Sequence, residues 1–257
     1  MITLLGIFVG YNHLRPASLP DITLSNGSGT IVFMSMSHIA TDEFYTQKHQ
    51  KLLSLSQSGY TIILEWVRPG TEENRKKFDN YMGFQFTKSL YSVVAWLGGL
   101  VAQNNDTLYA GIATGSILSL DLSIDDIVPL IEAKNTLPTV SGEVPAIDLE
   151  KDIQELQSTM SQGESHITRL LFRALLSSLI RDTESLEAGL MDSERRALFQ
   201  VILHERNTPI VRYIKEHPDA KMVIVYGALH FNGIYEEIQR LSSPWTIRKM
   251  ELYYPYK

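Results

Sequence analysis

The segment spanning residues 30–64 alternates strand-like, helix-like and strand-like patterns, which constrains the fold of this chain more than any other feature. Residues 30–34 form a short β-branched and apolar run that is typical of a strand. Residues 41–57 carry a partly apolar helical face, and residues 60–64 are continuously apolar, as strands buried on both faces are. Because strand–helix–strand units are right-handed crossovers between parallel strands, we predict an α/β core.

The rest of the chain predicts a helical middle followed by a second α/β unit. Helical patterns cover residues 88–101, 121–131, 149–161, 166–181 and 193–216, with a linker containing Pro and Gly at residues 136–145. Residues 220–226 return to a strand pattern, and residues 234–241 to a helical one. The opening of the chain, with its Pro, Ser, Asn and Gly residues, reads as loop and turn.

We therefore predict one α/β domain with a mixed central sheet, flanking helices, two strand–GxxH–helix units and a helical middle insertion. Its parts are an N-terminal extension (1–29), a first α/β unit (30–70), a mainly helical insertion (71–216) and a second α/β unit (217–257). The apolar face at residues 166–180 is expected to pack on neighbouring helices, with a membrane or partner face as the alternative. If the chain forms a homodimer, the insertion is where we expect the contact.

The overall composition excludes several classes of function. Apolar residues make up 44% and charged residues 20% of the chain, which suffices for a buried core and argues against disorder. The net charge of −6 and the lack of a Lys/Arg cluster argue against a nucleic-acid partner. Because there is no cysteine, a disulfide scaffold, a Cys-based zinc site and a thiol nucleophile are all excluded.

The apolar run at residues 2–11 is far shorter than the roughly 18 residues that span a bilayer. No basic residue precedes it, so it is also a poor secretory signal. We therefore expect a soluble domain, with a cytoplasmic and a periplasmic location both open. Membrane association is expected only if a longer N-terminal segment has been cut away.

Two segments about 190 residues apart share one pattern: an apolar strand, three small or apolar residues, a histidine and an aromatic helix start. The histidine is His38 in the first segment and His230 in the second. A third polar residue, Glu65, directly follows the strand at residues 60–64. Ligand sites of open α/β sheets lie outside the carboxyl ends of the strands, so we expect His38, Glu65 and His230 to meet in one polar site.

The chemistry of these three residues fits a metal site, although structural roles remain open. Parallel strands lie about 4.8 Å apart, so their side chains can approach to the roughly 3–3.5 Å that donors of one divalent ion require. Two His and one Glu with an open position form a catalytic metal set. Alternatively, each histidine is a hydrogen-bonded structural residue, and Glu65 is a helix cap or a surface carboxylate.

In combination these residues resemble the TraB/PrgY/GumN family, which is related to TIKI-type proteases and more distantly to erythromycin esterases and ChaN-like proteins. The likeness covers most of residues 30–242. The matching positions are His38, Glu65, Arg206, Asn207, Gly227, Ala228 and His230, together with residues 97–103 and 120–123. Ser35 stands where the family's first motif has a glycine, a departure that bears on peptide hydrolysis more than on the fold.

The resemblance implies a hydrolase-like site with two versions. In one, His38, Glu65 and His230 bind a divalent metal (Mn, Co or Zn) that activates a water, as in a peptidase. In the other, the same residues hold the water as general bases without a metal. In both, Arg206 stabilises a developing oxyanion or grips a substrate carboxylate, and Asn207 orients Glu65 or the water. The substrate would be a peptide or a small molecule.

Several interpretations without catalysis also stay open. The same fold could sequester a peptide, a metal or a porphyrin without turnover. Taken alone, Arg206 and Asn207 also fit a surface ion pair and a turn ahead of Pro209. Asp121 fits either an acid that supports the site from behind or a residue at a helix N-terminus.

Overall fold

The structure is a computed structural model that describes residues 2–83, 88–134, 162–181, 189, 196–241 and 244–257. The strands are β1 (Leu19–Ser25), β2 (Thr30–Met36), β3 (Ile39–Ala40), β4 (Thr61–Leu64), β5 (Val101–Ala102), β6 (Ile117–Ser119), β7 (Lys221–Gly227) and β8 (Thr246–Tyr253). The α-helices are α1 (Ile2–Leu14), α2 (Asp42–Gln57), α3 (Glu72–Met82), α4 (Lys88–Gly98), α5 (Asn105–Leu108), α6 (Ile124–Ala133), α7 (Gln162–Arg181), α8 (Arg196–Leu203), α9 (Thr208–Glu216) and α10 (His230–Gln239). Short 3₁₀ turns lie at Thr114–Ser116 and Glu205–Asn207.

The main sheet has six strands in the order β6-β4-β7-β2-β1-β8. Strands β6, β4, β7 and β2 run parallel, while β1 pairs antiparallel with both β2 and β8. A separate ribbon pairs β3 with β5. Strand β7 therefore inserts between β2 and β4, the two strands of the first unit. The predicted α/β fold, with a mixed central sheet and flanking helices, is confirmed.

The two faces of the sheet carry separate parts of the core. On one face, Phe44 and Leu52 of α2 pack against β2, β4 and β7. On the other, α9 and α10 contribute Ile214 and Ile234. Because both faces are covered, β2 and β7 are buried along nearly their whole length, as their continuous apolar runs predicted.

Helix α2 begins and ends where the sequence signals place it. The hydroxyl of Thr41 accepts the N–H of Phe44 at 3.3 Å and so caps the first turn. Beyond the helix the chain reverses at Gly59, whose φ of +78° lies in the region that favours glycine. The crossover from β2 to β4 is thereby fixed, and it places His38 and Glu65 at the same edge of the sheet.

The two ends of the chain contain elements that the sequence patterns did not predict. The expected loop over residues 1–29 contains α1 and β1, and β1 lies inside the main sheet. Strand β8 forms its outer edge. Because of Pro20, the sequence of β1 suggested a turn. Proline is nevertheless tolerated near the start of a strand, where the loss of one backbone hydrogen bond matters little.

The helix predicted over residues 193–216 is broken into α8, a 3₁₀ turn and α9. Pro209 explains the break because proline fits the first turn of a helix but not its interior. Helix α10 begins at His230, earlier than the predicted residue 234.

The linker predicted at residues 136–145 and the helix predicted at residues 149–161 lie outside the described residues. Among the helices that the structure describes, none is long and apolar enough to cross a membrane.

Candidate functional site

The polar residues singled out in the sequence lie at the carboxyl ends of the three central parallel strands. Glu65 follows β4, and its N–H donates to the carbonyl of Val225 at 3.0 Å, which extends the pairing with β7. His38 follows β2, and His230 is the first residue of α10 after β7. All three side chains line one cavity of about 690 Å³, so the structure brings them to a common site.

The Glu65 carboxylate is held from two sides. Its Oε2 accepts the backbone N–H of Gly227 at 2.8 Å, and its Oε1 accepts Nη2 of Arg206 at 2.8 Å. The Nε2 atom of His230 lies 3.5 Å from the same Oε1, which is longer than a direct N–H···O hydrogen bond. The carboxylate is therefore fixed in direction while Oε1 faces His230 across a gap.

Arg206 links Glu65 to a second buried carboxylate, Asp121. Its Nε and Nη2 donate to the two Asp121 oxygens at 2.9 and 2.5 Å. Asp121 is 1% exposed and also accepts the N–H of Leu122. Because a two-point pair of this kind fixes the plane of the guanidinium, Arg206 holds Glu65 in place. Helix α6 is capped by Ser123, so Asp121 supports the site from behind and does not cap the helix.

The His230 ring is fixed in one tautomer by Asn207. The Asn207 amide Nδ2 donates to the carbonyl of Leu203 at 2.8 Å, so its Oδ1 is the atom that faces His230 Nδ1, also at 2.8 Å. An amide oxygen only accepts, and His230 must therefore carry a proton on Nδ1. In the neutral ring the lone pair then lies on Nε2, the atom beside Glu65.

The charges around Glu65 determine its ionisation. Burial alone would raise the pKa of Glu65, but protonated His230 on the other side of the 3.5 Å gap, followed by the charges of Arg206 and His38, holds that pKa well below its usual range. Burial would lower the pKa of Arg206, yet Asp121 and Glu65 raise it. Glu65 is therefore held as a carboxylate, and Arg206 as a cation, near neutral pH.

His38 stands apart from this cluster on the wall of the cavity. Its side chain is exposed, and its ring lies against Tyr91 with the ring centroids 5.0 Å apart. Its backbone carbonyl accepts the N–H of Gln103. His38 acts on Glu65 through charge when it is protonated, and it is free to meet a ligand that enters the cavity.

The donor geometry fits the predicted metal site only in part. The 3.5 Å between His230 Nε2 and Glu65 Oε1 suits two ligands of one ion. However, the Arg206 cation contacts the same Oε1 at 2.8 Å and opposes a second cation there. Within the described part of the chain, no three His, Asp or Glu side chains form a group that could hold a metal ion. Metal binding by His38, Glu65 and His230 therefore stays a prediction.

Three further residues contribute to the site in ways that the sequence patterns did not predict. Gly227 contributes a backbone N–H, which side-chain patterns do not reveal. Tyr226, fully buried beneath the His230 ring, has a hydroxyl without a hydrogen-bond partner among the described residues. A Cβ on Gly233 would lie 2.7 Å from Asn207 Nδ2, so this glycine allows α10 to approach Asn207. Gly233 lies one residue before the predicted helix at residues 234–241, so the helical pattern gave no signal for it.

Ser35, which stands in the place of the family's glycine, lies within β2 and does not line the cavity described above. It pairs with Tyr226 in the parallel ladder, and its hydroxyl donates to the carbonyl of Pro20. Since this is an extended strand position, no left-handed backbone conformation is needed there. The serine bears on the β1–β2 pairing rather than on the cavity.

Comparison with known proteins returned no matching family model, no similar curated protein and no similar solved structure.

Proposed function

We propose that this protein is a hydrolase that activates water with the His230–Glu65 pair and without a metal. The observation that carries the proposal is the orientation of His230. Asn207 holds its Nδ1–H, so the Nε2 lone pair lies 3.5 Å from Glu65 Oε1 at the wall of the cavity. A water that bridges these two atoms is held by an acceptor on each side.

The proposed reaction transfers an acyl group to this water. His230 Nε2 removes a proton from the water, and the oxygen attacks the carbonyl carbon of the substrate. The fixed Glu65 carboxylate stabilises the imidazolium that forms. As the tetrahedral intermediate collapses, the imidazolium returns its proton to the leaving group, so an ester yields a carboxylic acid and an alcohol. His38, exposed on the cavity wall, is the candidate donor to the oxyanion.

Arg206 has a different role in this scheme from the one that the resemblance implied. Two of its nitrogens, Nε and Nη2, are committed to Asp121 and Glu65. An oxyanion contact is left to Nη1, and the main contribution of Arg206 is to fix the direction of Glu65. The family that the chain resembles has esterases among its more distant relatives, and the metal-free version of the chemistry is the one that those relatives imply.

The test is to purify the protein without chelator, measure its Mn, Co, Zn and Fe content, and assay it against ester and peptide libraries. We expect hydrolysis that persists in EDTA and falls by about 10²–10⁴-fold in His230→Gln. Activity that follows metal content and is abolished by EDTA would favour the metal version. A folded protein that hydrolyses neither library would contradict the proposal.

The second candidate function is binding without turnover. It is favoured by the walls of the cavity, which are largely apolar away from the polar site, as in many ligand-binding cavities. A protein that binds such ligands with equal affinity in wild type and His230→Gln, and releases no product, would support this alternative.

A further inference from the structure

Among the described residues, the wall of the cavity is most polar around one cluster and apolar over most of the rest. Glu65, Arg206 and His230 form this cluster. Helices from several parts of the chain supply apolar side chains, among them Phe78 of α3, Ile127 of α6, Leu179 of α7 and Ile202 of α8. A ligand that fits both regions carries one polar group and a substantial apolar body.

Several of the polar side chains on the wall already have partners within the fold. Glu65 and Arg206 are bonded together, and the Ser37 hydroxyl donates to the carbonyl of Ile39 and contacts Tyr256. An extended peptide brings one N–H and one C=O with every residue, and each unpaired group is costly in an apolar cavity. An acyl chain brings none beyond its carbonyl. The wall therefore suits an acyl chain better than a peptide.

We infer that the substrates are esters or amides of medium- to long-chain fatty acyl groups, an inference that rests on the proposed function. The carbonyl lies at the His230–Glu65 pair, and the chain runs along the apolar wall towards Phe78 and Leu179. A cavity of about 690 Å³ has room for such a chain together with its head group. Each methylene removed from water on this wall raises the affinity by about fourfold.

The first experiment measures kcat/KM for a series of p-nitrophenyl esters from acetyl to dodecanoyl. We expect kcat/KM to rise by about two- to fourfold per methylene over the middle of the series, while unmodified peptides are not cleaved. A flat or falling series, or preferred cleavage of peptides, would overturn the inference.

A binding experiment separates failure of this inference from failure of the proposed function. The probe is a neutral long-chain methyl ketone, 2-undecanone, titrated into His230→Gln with calorimetric detection, and 2-butanone serves as the short-chain comparison. We expect 2-undecanone to bind at least 100-fold more tightly. If this binding holds while the wild type hydrolyses no ester, the acyl preference stands and the hydrolase proposal fails. Equal affinity for both ketones would overturn the acyl preference itself.

Two leucines on the same helix provide a matched pair of variants. Leu179 lines the cavity, whereas Leu175 is not among its lining residues, and the two are similarly exposed at 43% and 48%. We expect Leu179→Asn to reduce kcat/KM for the dodecanoyl ester by about tenfold, and by a smaller factor for each shorter ester. Leu175→Asn should match the wild type along the whole series. An equal loss at every chain length in Leu179→Asn would contradict the proposed path of the chain.

Discussion

Two buried groups of charged residues lie on this sheet, and they differ in whether a ligand can reach the charge. At the edge of the parallel strands, Glu65 is bonded to Arg206 and Gly227 but faces His230 across 3.5 Å beside a cavity. Over the antiparallel strands, the ammonium of Lys48 is bonded to Asp21 and lies 4.1 Å from the centre of the Tyr253 ring.

The centre of the lysine group, formed by Lys48 and Asp21, is fully packed. Lys48 and Asp21 are 0% and 1% exposed, and Lys51 joins Asp21 to Glu251 with both contacts at 2.9 Å. Lys48 and Asp21 have their partners within the fold, which leaves neither of these two buried charges available to a ligand. Glu65, at 17% exposure, has its direction fixed by the protein but keeps one side turned to the cavity. A buried charge points to function when its partners orient it and still leave it accessible.

The largest expected effect is on activity and concerns the site alone. His230→Gln removes the proposed base, and we expect kcat to fall by about 10²–10⁴-fold. Lys48→Met should keep kcat near the wild-type value at a temperature where the variant is folded. Equal losses in both variants would show that the two groups do not differ in their contribution to activity. Steady-state kinetics on the best ester provide the measurement.

The next effect is on stability and concerns the lysine group. Asp21→Asn leaves the buried Lys48 ammonium without its charged partner, and breaking such a pair costs roughly 3–5 kcal/mol. Urea denaturation followed by circular dichroism gives the free energy of unfolding. Glu72→Gln, in the exposed pair with Arg75, is the control and should leave the midpoint unchanged. An unchanged midpoint in Asp21→Asn would mean that this pair contributes nothing to the fold.

Gly233→Ala should act on the site without touching the cavity. The added Cβ lies 2.7 Å from Asn207 Nδ2, so Asn207 must shift and release the Nδ1–H of His230. We expect kcat to fall by about 10–100-fold, as for other residues that orient a reacting group. Gly10→Ala is the helical control, since nothing lies within 4 Å of its added Cβ. Full activity in Gly233→Ala would argue against the role given to Asn207.

The free energy of unfolding at acid pH should depend on the ionisation of Glu65. Its folded pKa is lowered, so its contribution is present above the unfolded value near pH 4.5 and is lost as the pH falls further. The free energy of unfolding of the wild type should fall by up to about 1.4 kcal/mol per pH unit relative to Glu65→Gln. Parallel curves for the two proteins below pH 4.5 would show that Glu65 is not stabilised as a carboxylate.

The free energy of unfolding at alkaline pH should depend on the ionisation of Lys48. Burial lowers its pKa to about 8 despite the opposing charge of Asp21, whereas an unfolded lysine titrates near pH 10.4. Between these values the unfolded state binds more protons, so the wild type should gain stability relative to Lys48→Met as the pH rises. The gain is at most about 1.4 kcal/mol per pH unit. A constant difference between pH 8 and 10 would contradict this assignment.

The location of the polar site could be predicted from the sequence, because hydrophobic runs mark the strands and the parallel crossover places their carboxyl ends at the same edge of the sheet. His38, Glu65 and His230 follow from that rule. Arg206 and Asn207 came from the resemblance alone, because their burial depends on a turn that brings α8 and α9 to the sheet. These contacts arise between segments that are distant in the chain, and local patterns carry no information about them.

The lysine group and the edge strands could not be predicted for the same reason. Lys48 sits on α2 where the sequence suggests a solvated charge, and its burial depends on β1 and β8 meeting over that helix. Strand β1 carries a proline, and β8 is exposed along most of its length, so neither shows the pattern of a buried strand. Their pairing is a long-range event, and only the folded chain shows it.

The insertion of β7 between β2 and β4 has a consequence for how the protein is made. The contacts of Glu65 with Arg206 and Gly227 span 141 and 162 positions of the chain. During synthesis from the N-terminus, Glu65 therefore lacks Arg206 and Gly227 as partners until most of the polypeptide has been made. Contacts of such separation also slow folding. A ligand of this cavity would recognise only completed molecules, and at 100 times its Kd it would add about 2.7 kcal/mol to their stability.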